Sequence, residues 1–247
     1  LYSKGFRAGG YNGRPGGGEY ISATTPYAPE TVNNFEIGFK SEWLDGNFRL
    51  NVSAFSMQYE DKQEEQSVPT AGGTGQQTLV VNASEAKIQG LEADLSWKVS
   101  ETFSINGNLG LLDAEYDELT DPSTGTDLTH LSLRRAPDMT ATITPIINVP
   151  MGSGVLSARA SIRFVDDMEL TFLNSPQSTV NSHTTLDASV TYSWDNFRVS
   201  VWGLNLSDDD SWTQAYDVGT SVNFAGLWTY TAVRPPRTYG VVLNYDF

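Results

Sequence analysis

Apolar and polar side chains alternate along most of this chain. At 237–247, Tyr239, Val241, Leu243, Tyr245 and Phe247 recur at every second position, with Gly240, Asn244 and Asp246 among the residues between them. In an extended chain that period places the two sets on opposite faces. The pattern repeats at 34–43, where Phe35, Ile37, Phe39 and Trp43 oppose Asn34, Glu36, Gly38, Lys40 and Glu42. It repeats again at 86–99, where Leu91, Ala93, Leu95 and Trp97 oppose Gly90, Glu92, Asp94 and Ser96. Strands led by Phe103, Met139, Leu156, Leu186 and Phe197 continue it. At 48–61, Phe48, Leu50, Val52 and Ala54 are in phase, but Phe55, Met57 and Tyr59 take the opposite phase, which denotes either a bulge or a strand rising beyond its apolar surroundings. With a truncated strand at 1–7, the pattern predicts ten antiparallel strands.

The connections alternate in length. Tight turns are predicted at Asp45-Gly46-Asn47, Ser100-Glu101, 151–154 and Asp195-Asn196. Long polar loops are predicted at 8–29, 62–82, 115–137, 166–182 and 207–236. Short turns at one end and long loops at the other are the mark of an outer-membrane β-barrel, with periplasmic turns and extracellular loops. Aromatic residues flank the tight turns: Trp43 and Phe48, Trp97 and Phe103, Trp194 and Phe197. On an apolar face beside a turn they form a girdle at one height, where amphipathic rings sit at the bilayer boundary, and Phe247 ends the chain on the same face. The competing reading is a soluble sandwich with tryptophans in its core. Strands of about ten residues with Ser, Asn, Gly and single charges on their second face suit a wet lumen better.

Composition narrows the choice. The net charge is -15, which argues against nucleic acid as a partner. Cysteine is absent and there are two histidines, so neither a thiolate nor a histidine-rich metal centre is expected, and no cofactor is called for. No apolar run reaches the roughly 18 residues of a membrane helix, a test that alternating strands escape. The opening residues read as mid-strand, so residues 1–247 are expected to be the C-terminal piece of something longer.

No catalytic constellation stands out, and the chain is not read as an enzyme. Asp208-Asp209-Asp210 with Asp217, and Asp166-Asp167 with Glu169, lack calcium-loop spacing and read as solvated or lipopolysaccharide-bridging acidic loops. Glu92 and Asp94 share a strand face and line the lumen, with nothing to separate their acidities. Ser157, Ser161 and His183 lack a nucleophile elbow. Arg159 and Arg163 fall on an inward face, where salt bridges to Glu92 and Asp94 are the expected use. Loop aromatics, above all Trp212, Tyr216, Trp228 and Tyr230, are candidates for holding a bulky ligand.

Several short elements, taken in order, carry a family resemblance. Tyr27-Ala28-Pro29-Glu30 followed by Asn34-Phe35-Glu36-Ile37-Gly38-Phe39-Lys40-Ser41, Asn82-Ala83 before Ile88-Gln89-Gly90-Leu91-Glu92-Ala93-Asp94, Arg135-Ala136-Pro137, Leu204-Asn205-Leu206-Ser207-Asp208 and the closing 236–247 resemble the TonB-dependent outer-membrane receptors. That resemblance implies a barrel of about 22 strands filled by an N-terminal plug, which these residues do not include. It implies residence in the outer membrane of a Gram-negative bacterium, with lipid and lipopolysaccharide around the barrel. Further implied partners are the TonB complex, the barrel-assembly machinery through the last strand, and a small-molecule ligand. The implied function is energised uptake of a scarce bulky nutrient, a ferric siderophore first, for which Arg159 and Arg163 offer an anion-attracting alternative use. A passive porin and a soluble or surface β-sheet binding module are the alternatives.

Overall fold

The structure, a computed structural model, describes residues 1–12, 26–69, 76–121, 124–217 and 229–247. Sixteen strands are formed among them. They are β1 (Tyr2–Arg7), β2 (Gly10–Tyr11), β3 (Pro26–Tyr27), β4 (Glu30–Trp43), β5 (Phe48–Pro69), β6 (Gln76–Lys98), β7 (Phe103–Leu119) and β8 (Met139–Met151). Then follow β9 (Gly154–Val165), β10 (Met168–Glu169), β11 (Thr179–Val180), β12 (His183–Trp194), β13 (Phe197–Leu204), β14 (Trp212–Asp217), β15 (Thr229–Val233) and β16 (Thr238–Tyr245). Ten of them make one antiparallel sheet in the order β1-β4-β5-β6-β7-β8-β9-β12-β13-β16. Each strand therefore lies beside its sequence neighbour within the sheet. The remaining six pair as small hairpins within the long connections: β2 with β3, β10 with β11, and β14 with β15.

The alternation acts through the register. Trp43, Phe48 and Trp97 lie in one cross-strand row, as do Ile143 with Ile162 and Val190 with Val201 and Val241. These residues share a face that none of the described residues covers: Ile37 is 77% and Val241 69% exposed. Leu95 and Leu109 are only half-buried, and among the described residues no second layer seals them as a sandwich would. A face of this length and apolarity is stable against lipid rather than water. On β6 it runs from Trp97 to Leu91, about 20 Å along the strand, before Gln89, Lys87 and Glu85 take over. The opposite face carries Glu92, Asp94, Asn106, Asn108, Thr142 and Arg163.

Two loop expectations are corrected. Residues 62–82 are not loop throughout: β5 and β6 stay paired from Lys62 opposite Ser84 to Pro69 opposite Gln76. The two-stranded ladder satisfies the backbone of this mostly polar extension, and Leu79 on its second strand is buried. Likewise β7 continues past Glu115 to Leu119. The phase change at Phe55 is not a bulge either. The β4–β5 register is unbroken from Trp43 opposite Phe48 to Thr31 opposite Glu60, and the β5–β6 irregularity comes later, between Tyr59 and Lys62. Phe55, Met57 and Tyr59 thus lie on the polar face near its long-loop end.

Candidate functional site

Tyr59, the last of these, joins the floor of a covered site. At the long-loop end of β5, β6 and β7 the polar face carries Tyr59, Ala86, Ile88, Ala114 and Tyr116, and the connection between β7 and β8 folds back onto them. Ala86, Tyr116, Leu119 and Leu133 form its buried centre, with Leu128, Leu131, Ala136 and Phe172 packed around it. Phe172 comes from the connection between β9 and β12, and the two connections are tied together. The Ser132 amide donates to Asn174 Oδ1 at 2.6 Å, Asn174 Nδ2 donates to the Ser132 carbonyl at 3.1 Å, and the Arg135 amide donates to the Glu169 carbonyl at 2.8 Å.

Beneath this cover sits Glu64, 1% exposed. Its carboxylate accepts a hydrogen bond from Tyr116 Oη at 2.9 Å and one from Arg134 at 3.1 Å, and pairs with Lys62. The Lys62 ammonium lies 5.7 Å from the centre of the Tyr116 ring. A buried carboxylate needs this many donors, because an unpaired charge at such a depth costs several kcal/mol, on the order of 3–5. Burial, then the adjacent Glu64 carboxylate, pushes the Tyr116 phenol far above its usual value. Sequence reading missed Glu64. The signal for it was the wrong-phase run Phe55, Met57 and Tyr59, which marks where loops turn inward.

Of the short family-like elements, 34–41 and 88–94 lie within β4 and β6, while those around Pro29, Asn82 and Asn205 tie strands to loops. Asn82 Oδ1 accepts the Ala28 amide at 2.6 Å while its Nδ2 donates to the carbonyls of Ala28 and Asp61, and Glu30 accepts the Gln63 amide at 2.7 Å. Asn205, buried and at φ 49°, donates to the carbonyls of Asp209 and Pro235, and Asp208 pairs with Arg237 at 3.1 Å. Beside it, Arg234 joins Asp209 at 3.2 Å to His183 Nε2 at 3.1 Å.

The sequence-chosen ligand aromatics distribute as follows. Tyr216 and Tyr230 are direct cross-strand partners in the β14–β15 hairpin, 48% and 55% exposed, and Trp212 pairs with Val233. Trp228 lies outside the described residues. Glu92, Asp94, Arg159 and Arg163 all stand on the polar face, but the expected salt bridges between them are not formed. β7 and β8 separate β6 from β9, so about 14 Å of sheet intervenes. Asp94 instead borders a concavity of about 250 Å³ with Arg49, Asn51, Asn106, Asn108 and Thr142.

The girdle aromatics make two contact chains at the tight-turn end. Trp43, Phe48 and Trp97 follow one another at 5.4 and 5.9 Å. Trp194, Phe197, Tyr245 and Phe247 follow at 5.4, 4.7 and 5.1 Å. Phe103 stands out of the first row, because Trp97 is opposite Ile105 while Phe103 is opposite Ile147. Among the described residues no group of three or more acidic or histidine side chains is arranged to hold a metal ion.

The family described as TonB dependent receptor-like, beta-barrel, matches residues 2–206. The chain superposes on the ferric yersiniabactin uptake receptor FyuA of Yersinia pestis with a TM-score of 0.77 at 21% identity, covering 100% of this chain and 34% of that one. For the siderophore receptor PiuA of Acinetobacter baumannii the values are 0.72, 20%, 99% and 33%. For BauA, the ferric preacinetobactin receptor of the same organism, they are 0.67, 22%, 100% and 33%. The chain thus spans about a third of the length of these structures, and with the family model matching residues 2–206 it belongs to the TonB-dependent receptor β-barrel family, a family of receptors and not of enzymes.

Proposed function

We propose that residues 1–247 form the C-terminal part of the barrel of an outer-membrane receptor that takes up a bulky ferric siderophore, with energy delivered through the TonB complex. The supporting observation is the covered site at the long-loop end: two connections tied to each other fold inward over an apolar patch and a buried carboxylate on the polar face. An open pore for small solutes has no use for such a cover, whereas a receptor that must bind before it transports does. In this reading the polar face is the lumen, the apolar face meets lipid and lipopolysaccharide, and the last strand is what the barrel-assembly machinery engages. Trp212, Tyr216 and Tyr230 reach the ligand from above.

The test uses the full-length protein that contains this chain, expressed in a strain lacking its own siderophore receptors. Uptake of radio-iron bound to a panel of siderophores is measured with and without TonB. Uptake that persists without TonB overturns the receptor in favour of a porin. Replacing Tyr216 and Tyr230 by Ala should raise the concentration needed for half-maximal uptake while surface abundance is unchanged; unchanged affinity would remove these tyrosines from the ligand site.

A further inference from the structure

His183 opens β12 at the long-loop end, is 9% exposed, and has both of its ring nitrogens in use. Nδ1 stands 3.1 Å from the Asn181 carbonyl oxygen, and Nε2 stands 3.1 Å from a terminal nitrogen of Arg234. A carbonyl can only accept and a guanidinium can only donate, so Nδ1 carries the proton, Nε2 is bare and the ring is neutral. Arg234 follows directly on β15, and its amide donates to the Ser211 carbonyl at 3.0 Å, which closes the base of the β14–β15 hairpin. The imidazole therefore links that base to the strand wall. Because the partners of both nitrogens belong to this chain, the placing of the proton needs nothing outside it.

A second proton would turn an N–H of an imidazolium against an N–H of a guanidinium, two like charges in contact with no acceptor between them. Asp209 attracts both cations, yet its Oδ1 already accepts Arg234 Nε at 3.2 Å, the Ser211 amide at 3.1 Å and the Ser211 hydroxyl. A guanidinium bonds a carboxylate more strongly than a neutral acceptor, so Arg234 stays with Asp209 and the bond to His183 is the one lost. The other charged groups on the elements around the ring are committed elsewhere or lie beside it in sequence. On β9, Val165 is opposite His183, with Arg163 two residues before it and Asp166 and Asp167 directly after. Glu169 of β10 accepts from the Thr179 hydroxyl, Asp187 of β12 accepts the Asn205 amide, and Asp208 pairs with Arg237. Among the described residues no carboxylate forms an ion pair with the ring. A contact that needs the neutral ring is kept at higher pH and lost as pH falls, and histidine changes charge between about pH 5 and 8. We propose that His183 is a proton-operated clasp. Neutral, it holds the base of the β14–β15 hairpin to β12; charged, it lets the hairpin swing on Asn205, which keeps its bonds to the Asp209 and Pro235 carbonyls. The clasp stands on this geometry, and only its consequence, that ligand capture by Tyr216 and Tyr230 becomes proton-dependent, rests on the proposed receptor function.

The full-length protein in detergent, any native cysteines replaced by Ser, carries one spin label at Gln214→Cys in the hairpin and one at Ser153→Cys in a tight turn, both exposed positions. The distance distribution between them is measured by double electron-electron resonance at about pH 7.5 and about pH 5. A single narrow distance is expected at the higher pH, and its loss at the lower, where Asp209, held below 3.8, is still ionised. His183→Gln offers an amide oxygen to Arg234 and does not titrate, so it should keep the narrow distance at both. A distribution that is the same at both pH values in the protein with His183 overturns the clasp, and that comparison needs no substitution at the clasp itself. A pH response that survives in His183→Gln overturns it as well, because another group would then be the sensor. No ligand is present in the measurement, so its failure is separable from failure of the uptake experiment.

Discussion

Gly90 lies directly opposite Phe55, and the ring of Phe55 occupies the space that a side chain at position 90 would need. A methyl group there would stand 2.6 Å from Phe55 Cζ and 2.7 Å from the Leu111 carbonyl oxygen. Gly240 opposite Trp202 repeats the arrangement, with every close contact coming from the indole. On both pairs the aromatic lies on the polar face and shields a glycine that cannot pack for itself. Replacing Gly90 or Gly240 by Ala should each cost about 1–3 kcal/mol, read as the temperature at which the full-length barrel loses its compact mobility in detergent gels. Adding Trp202→Ala should offset most of the Gly240 effect. Adding Phe55→Ala should offset only part of the Gly90 effect, because the Leu111 backbone remains.

Glu64 holds the cover in place. Glu64→Gln keeps the volume but leaves Lys62 and Arg134 facing each other without a counter-charge, at a cost of about 2–4 kcal/mol. The connection between β7 and β8 should then be cut by trypsin at Arg134 or Arg135 in intact cells, where the parent protein resists. Arg134→Gln should open it less, since that side chain is 37% exposed. Equal resistance in all three proteins would show that the apolar contacts alone hold the cover.

Tyr116 sets a response at high pH. Its phenol is raised above the ordinary value of 10 by burial and then by Glu64, so the folded protein keeps this proton after the unfolded chain has lost it. Its contribution is complete below pH 10 and declines as pH rises further. Tyr116→Phe should flatten stability against pH above 10, as followed by tyrosinate absorbance and thermal melting.

Asp209 sets the opposite response in acid. Burial presses its carboxyl upward, but hydrogen bonds from the Ser211 hydroxyl and amide and from Arg234 outweigh that and hold it below 3.8. A depressed carboxyl contributes stability above its unfolded value, and the contribution is lost as pH falls through the folded one, here below 3.8. Hydrogen exchange at the Ser211 and Arg234 amides should accelerate in that window, and Asp209→Asn should show the fast rate already at neutral pH.

The two faces can be told apart by depth-dependent quenching. In single-tryptophan variants of the full-length protein, lipids brominated near the headgroup should quench Trp43, Trp97 and Trp194 strongly, and Trp202 hardly at all. Strong quenching of Trp202 would reverse the assignment of lipid and lumen.

The alternation of side chains by itself determined the ten strands of the main sheet, their faces and the tight turns, because a period of two translates into geometry with no knowledge of partners, whereas the three small hairpins in the long connections came only with the folded chain. It also sufficed to place Glu92, Asp94, Arg159 and Arg163 on one face. What it could not determine was which residues meet across several strands. Whether Arg159 reaches Glu92 depends on the two strands lying between them, and among the described residues neither Arg159 nor Arg163 forms an ion pair. Only the folded chain likewise decided that polar residues 62–69 continue a ladder and that Glu64 is buried. A carboxylate in a polar stretch looks solvated until a loop about 70 residues away in sequence, carrying Arg134, comes down upon it. Local periodicity is written residue by residue, whereas the cover depends on side chains distant in sequence finding hydrogen-bond geometry in space.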